Sequence, residues 1–196
     1  MNRVYGRHRI VKEMTKNEKF SLDVGCSNVT VAEVSINVKK HYLRTTLRPT
    51  VLADVRYLPF KERVFERVYF LDVIEHLTVG DEYVALSEIR RVLEGELILT
   101  TPNRKFLYTC LDPAFYIKHH RHFSENEIAR ILKEAGFRGE KIFTRGGFWH
   151  ATVVLARAIC KYIFRPKVPL WLIRLYDNEY QEPRRDGYTI FCVAHN

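Results

Sequence analysis

Apolar positions along this chain come in short runs that close on a small or acidic residue. Phe20, Leu22 and Val24 alternate with Ser21 and Asp23 and run into Gly25, the pattern of a strand that ends in a tight turn. It returns in Val31-Ala32-Glu33-Val34-Ser35, in Leu52-Ala53-Asp54-Val55 ahead of Leu58-Pro59-Phe60, and in Val68 to Leu71 ahead of Asp72. Leu97 to Thr101, Lys141 to Thr144 and the alternating Tyr188 to Ala194 predict three further strands. Between them, Asp81 to Leu93 carries Tyr83, Leu86, Ile89, Val92 and Leu93 on one helical face, with Gly95 as its stop. Ser124 and Glu127 form a capping box that opens a helix running through Ile128, Ile131 and Leu132 to Gly136. Strands alternating with helices predict an open α/β sheet, whose ligands bind outside the carboxyl ends of the strands. Glu33, Asp54 and Asp72 each close one of those runs.

The connection after the first strand is short. A helical crossover between parallel strands takes a dozen or more residues, yet only Cys26, Ser27 and Asn28 separate Gly25 from Val29. Either an extended segment makes the crossover, or Val29 to Lys40 is a helix and one strand is missing. The β-branched run Val29, Thr30, Val31, Val34, Ile36 and Val38 favours the extended reading.

Five motifs stand in order: Leu22-Asp23-Val24-Gly25-Cys26, Ala53 to Phe60, Asp72-Val73-Ile74-Glu75-His76-Leu77, Leu97 to Asn103, and Arg121-His122-Phe123-Ser124 with Ala135-Gly136-Phe137. With them, Phe20 to Phe137 resembles the Rossmann-like class I methyltransferases that use S-adenosylmethionine. The likeness is to the type 11 domain, in a compact branch with a shortened first crossover. That resemblance implies a seven-stranded, mostly parallel α/β sheet with flanking helices, an antiparallel last strand and a reduced first crossover helix. It implies S-adenosyl-L-methionine as cofactor. Glu33, with Val34 and Ser35 beside it, would accept the ribose hydroxyls, and Asp54 the adenine amine, with the Val55 amide opposite a ring nitrogen. Asp23, Gly25, Cys26 and Ser27 would line the methionine half, and Asp72, Val73 and Ile74 the sulfonium. His76 follows the fourth strand near the expected methyl position and titrates near neutrality, which makes it the candidate catalytic base. In His119-His120-Arg121-His122 no acid or cysteine completes a ligand set, so no metal is expected. The resemblance puts this run on a substrate-side loop, with His119, His120 and Arg121 meeting an anionic group.

Composition alters this picture only at its edges. A chain of 196 residues, 46% apolar and 28% charged, fits a single domain over 1–196. Residues 1–19 read as a basic helix with Ile10, Val11 and Met14 as its apolar points, and 145–187 as an insertion or lid before the last strand. A formal charge of +9 suits an anionic partner, or simply a solvated positive surface. The basic residues are scattered, which favours a small-molecule or lipid-like acceptor over RNA. From Phe148 to Phe164 the chain is nearly all apolar, with His150, Arg157 and Lys161 on one helical side. It is too short for a membrane span. Peripheral membrane contact through 148–173, a dimer face and a lid packed on the sheet all remain open readings. Cys26, Cys110, Cys160 and Cys192 lie far apart, and no signal-like apolar stretch follows Arg3, Arg7, Arg9 and Lys12, so a reduced, cytoplasmic setting is expected. A non-catalytic scaffold that keeps the sheet is the rival reading from another class.

Overall fold

Seven apolar runs pair into one sheet in the computed structural model, which describes residues 6–15, 19–26, 31–38, 49–111, 115, 120–159 and 168–196. The strands are β1 (Ser21–Val24), β2 (Val34–Asn37), β3 (Thr50–Leu52), β4 (Phe65–Leu71), β5 (Leu93–Pro102), β6 (Arg138–Arg145) and β7 (Thr189–His195). Their order is β3-β2-β1-β4-β5-β7-β6. β1 to β5 are mutually parallel, and β7 runs antiparallel to both β5 and β6. The order reverses at β1 and β4, so a crevice opens at their carboxyl ends. The helices are α1 (Arg7–Met14), α2 (Asp81–Val92), α3 (Phe106–Leu111), α4 (Glu125–Glu134), α5 (Phe148–Ile159) and α6 (Leu170–Glu179), with a 3-10 turn at Ile74–His76.

Strand periodicity divides the core in two. Leu22, Val24, Val68, Phe70, Leu97 and Leu99 face α2 and α4, where Leu86, Ile89, Ile128 and Leu132 are fully buried; each such side chain contributes about 2 kcal/mol of transfer free energy. On the other face Tyr69, Ile98 and Phe191 pack with Ile10 and Val11 of α1, Val153 of α5, and Leu172 and Tyr176 of α6. The apolar stretch before the last strand therefore serves as the second layer of the fold. His150, expected on its polar side, is buried, with Nδ1 2.6 Å from Tyr180 Oη, which in turn lies 2.7 Å from Thr189 Oγ1. Arg157 is exposed, and Lys161 and Cys160 lie outside the described residues. No helix among the described residues is long and apolar enough to cross a membrane.

The crossover from β1 to β2 comprises Gly25 to Glu33, and no helix occurs in its described part. β2 lies inside the Val29–Lys40 stretch, which overturns the alternative of a helix there with a strand missing. Its register moves the strand later than expected. Leu22 pairs with Val34, so Glu33 stands level with Ser21 at the amino-terminal edge of the sheet. β1 is four residues long, so the chain must return roughly 13 Å at about 3.3 Å per residue before a parallel neighbour can start. Gly95 also departs from expectation. α2 passes directly into β5 at Leu93, and Gly95 sits within that strand, where a Cβ would lie 2.3 Å from the Glu66 carbonyl oxygen. The capping box at Ser124 and Glu127 is present, with reciprocal hydrogen bonds.

Candidate functional site

A cleft of about 490 Å³ opens where the carboxyl ends of β1 to β4 meet, within the size range of small-ligand sites. β1 and the turn after it deliver Asp23, Gly25 and Cys26 to it, β2 ends on Asn37 with Val38 just beyond, the turn after β3 brings Ala53 to Arg56, and β4 leads into Asp72 and Val73. His76, Thr78 and Asp81 border the far side, and His8 reaches in from α1.

Gly25 makes the first turn. Its φ of 82° is open to glycine at no steric cost, and a Cβ there would lie 2.4 Å from Val73 Cγ2. The Gly25 and Cys26 amides both donate to the Ile36 carbonyl, at 3.0 and 3.2 Å, which ties the turn to β2. Asp23 is buried and its Oδ2 accepts from the Val31 amide at 3.2 Å. Burial pushes the Cys26 thiol up, so it stays protonated and lines the cleft as a small apolar group. Asn37 donates through Nδ2 to the Cys26 carbonyl.

Asp54 is held by its neighbour. Its Oδ1 accepts from the Arg56 amide at 2.9 Å and Nε at 3.1 Å, and its Oδ2 from Arg56 NH2 at 2.7 Å. These bonds hold the carboxyl below its ordinary range against a smaller opposing effect of burial. A carboxylate offers about four acceptor sites, so Oδ2 keeps one for a ligand. The same guanidinium donates to Asp81 Oδ2 at 2.9 Å. Asp72 adopts φ 52°, a left-handed conformation that Asp tolerates better than most residues. It is fixed by a donated bond from Thr100 Oγ1 at 2.8 Å and by its own amide to the Thr100 carbonyl at 2.9 Å. His76 stacks edge-on against His120 with ring centroids 4.1 Å apart.

Several expected site residues lie elsewhere. Glu33 accepts from the Ser21 amide and hydroxyl at the opposite edge of the sheet, because β2 begins after it rather than before it. Val34 packs into the core below the cleft, and Ser35 bonds Thr50 at the start of β3 and the Pro49 carbonyl just before it. Ile74 opens the 3-10 turn and is wholly buried. Arg121 is not open to an anionic acceptor: it makes two 2.9 Å bonds to the Glu82 carboxylate and lies over the Phe123 ring. Ser27 and His119 lie outside the described residues. Asn37, Arg56, Asp81 and His8 were not singled out from sequence. Asn37 had a signal, as the polar residue near the close of the β-branched run; His8 had none. Among the described residues no group of three or more His, Cys, Asp or Glu side chains is arranged to hold a metal ion.

Residues 18–99 match the family model described as a methyltransferase domain. An uncharacterized protein of Methanocaldococcus jannaschii is 31% identical over 113 residues, covering 52% of this chain. The match spans 43% of that relative's length, so this chain corresponds to less than half of it. Among solved structures, an S-adenosylmethionine-dependent methyltransferase of Thermotoga maritima, described as a possible histamine N-methyltransferase, aligns over 93% of this chain and 84% of its own, with TM-score 0.69 and 16% identity. The 1,6-didemethyltoxoflavin-N1-methyltransferase of Burkholderia thailandensis, solved with S-adenosylhomocysteine, aligns over 96% and 75%, with TM-score 0.59 and 12% identity. Both share the fold.

Proposed function

We propose that the chain, whose residues 18–99 match the family model of a methyltransferase domain, transfers a methyl group from S-adenosylmethionine to a small-molecule or lipid-like acceptor. The observation that supports it most is the convergence of Asp23, Asp54 and Asp72, from three strand ends, on one cleft.

The lining fits the cofactor's chemistry. Asp54, kept ionised by Arg56, accepts from an exocyclic amine, and the Val55 backbone lies alongside. Asn37, rather than Glu33, stands at the end of β2, where dinucleotide folds place the ribose-binding residue. Its amide offers one acceptor oxygen and one donor pair where a carboxylate would offer two acceptors. Asp23 suits an ammonium. When bound, S-adenosylmethionine supplies an electrophilic methyl on a positively charged sulfur. Asp23, Asp54, Asp72 and Asp81 give the cleft an excess of negative charge, which favours a cationic ligand over the neutral thioether left after transfer. These carboxylates thus serve binding and product exchange more than the chemical step, which depends on alignment and exclusion of water. His76, which borders the cleft beside His120, is the residue we assign to take a proton from an acceptor that must lose one.

The acceptor reading draws on the state of the basic residues. Arg9, Arg56, Arg67, Arg91, Arg104 and Arg121 are each ion-paired with a carboxylate, which leaves them ill-suited to forming a continuous phosphate-binding stripe. Calorimetric titration with S-adenosylhomocysteine tests the cofactor: saturable binding is expected for the wild type and at least about tenfold weaker binding for Asp54→Ala, from the loss of a charge-assisted hydrogen bond. Absence of binding to the wild type would defeat the proposal. Incubation of cell extract with isotopically labelled methyl donor should label the small-molecule or lipid fraction, and label confined to RNA would reverse the acceptor assignment.

A further inference from the structure

We propose that the amino-terminal end of α6 docks on an anionic lipid surface, an inference independent of the methyl-donor reading. α6 turns Leu172 and Tyr176 inward to the second core layer and leaves Leu170, Trp171 and Arg174 outside. Leu170 keeps 69% of its surface exposed and the adjacent Trp171 60%, whereas a tryptophan is on average well buried. Positions three and four apart share a helical face, so Arg174 stands beside both.

α5 adds a second cation at the same end. The Gly147 and His150 amides donate to Glu179 Oε2 at 2.9 and 3.0 Å, so α5 starts where α6 finishes and the two helices run antiparallel. Arg157, near the close of α5, therefore lies towards the start of α6, and it is exposed. Neither Arg157 nor Arg174 is ion-paired with a carboxylate among the described residues, unlike Arg9, Arg56 and Arg121. From Phe148 to Tyr176 the sequence contains no Asp or Glu.

That combination selects among partners. An indole and a leucine beside uncompensated guanidinium groups suit a bilayer interface, where the apolar parts enter the headgroup boundary and the cations meet anionic lipid. In a symmetric pair of chains the patch would face its own copy, and Arg157 and Arg174 would be set against like charge. An RNA backbone would engage the cations and leave Leu170 in water. The location also suits a working cleft. The Gly6 amide donates to Asp177 Oδ1 at 2.8 Å, and Arg9 NH1 to Asp177 Oδ2 at 2.7 Å. These bonds put the carboxyl end of α6 beside the first turn of α1, whose His8 lines the cleft. Ten residues of helix span about 15 Å, so the docking end stands a helix length away and leaves the cleft mouth clear.

Vesicle co-sedimentation tests this on the full chain. The protein should pellet with phosphatidylcholine vesicles containing about 30% phosphatidylserine and much less with phosphatidylcholine alone, and added salt should release it. Leu170→Ser with Trp171→Ser, and separately Arg157→Glu with Arg174→Glu, should each lower the partition coefficient at least about tenfold, with the melting temperature unchanged. Where the serine variant folds poorly, the glutamate variant carries the test. Trp149 and Trp171 are the chain's two tryptophans; in a Trp149→Phe background, emission from Trp171 should shift to shorter wavelength when the anionic vesicles are added. No preference for anionic vesicles, or binding that both double variants retain, overturns the proposal. So does a dimer in sedimentation velocity that Leu170→Ser with Trp171→Ser dissolves, or RNA binding that Arg157→Glu with Arg174→Glu abolishes while vesicles go unbound.

Discussion

At Gly25 a single missing Cβ carries two constraints. Its φ of 82° would cost a side-chain-bearing residue about 1–2 kcal/mol, and the closeness of Val73 Cγ2 adds a clash. Gly25→Ala should therefore lower the melting temperature and weaken S-adenosylhomocysteine binding together, read by thermal unfolding and calorimetry. A variant that kept full affinity would show that Val73 yields freely. Both this glycine and Asp54 are legible in the sequence, because turn formation and the acid closing an apolar run are local signals. Glu33 is not, since nothing in a β-branched run states which residue comes level with Ser21; that is fixed by the length of the strand beside it. Arg121 shows the same limit. Its partner Glu82 stands 39 positions away, so a basic residue in a histidine-rich run looks open to substrate until the fold closes it.

Between elements, the Glu82–Arg121 tie joins the start of α2 to the strand-like segment that leads into α4. Glu82 is almost wholly buried. Burial alone would raise its carboxyl, but the bonds from Arg121 and from backbone amides outweigh it and hold the group below its usual range. The unfolded chain consequently takes up this proton first as pH falls. The stabilisation is complete above the ordinary carboxylate range and drains away as pH drops through the lower folded value. Glu82→Gln should cost about 2 kcal/mol at neutral pH, somewhat less than a fully buried pair because Arg121 is partly exposed. It should also flatten the wild type's acid loss of stability, in melting curves taken from pH 7 to pH 3. Helix boundaries at this scale were readable where capping chemistry announces them, as at Ser124. They were not at Gly95, where a strand starts directly from a helix end and the glycine answers to the Glu66 backbone across the sheet.

For the whole molecule, the stretch between β6 and β7 has a role that periodicity left open among lid, interface and core. Val153, Leu172, Tyr176 and Tyr180 pack with Tyr69, Ile98 and Phe191 on the face that the shortened crossover leaves without a helix in its described part. Replacing 148–179 by a short linker should abolish the cooperative thermal transition; a truncated chain that still melts cooperatively and binds S-adenosylhomocysteine would make these helices an appendage instead. The seven-stranded, mostly parallel sheet with its antiparallel last strand was foreseeable through the resemblance that five ordered motifs carry, whereas the layer that completes it was not, because apolar helices look alike whatever they cover.

The bond from Gly6 to Asp177 spans 171 positions, which gives the protein a sense of time as well as place. During translation β1 to β5 emerge early with their aspartates, but the clasp that seats α1 cannot form until α6 has left the ribosome. A nascent chain would therefore hold the strand-end side of its cleft first and seat α1 against it last, so a chain ending before α6 would lack that clasp.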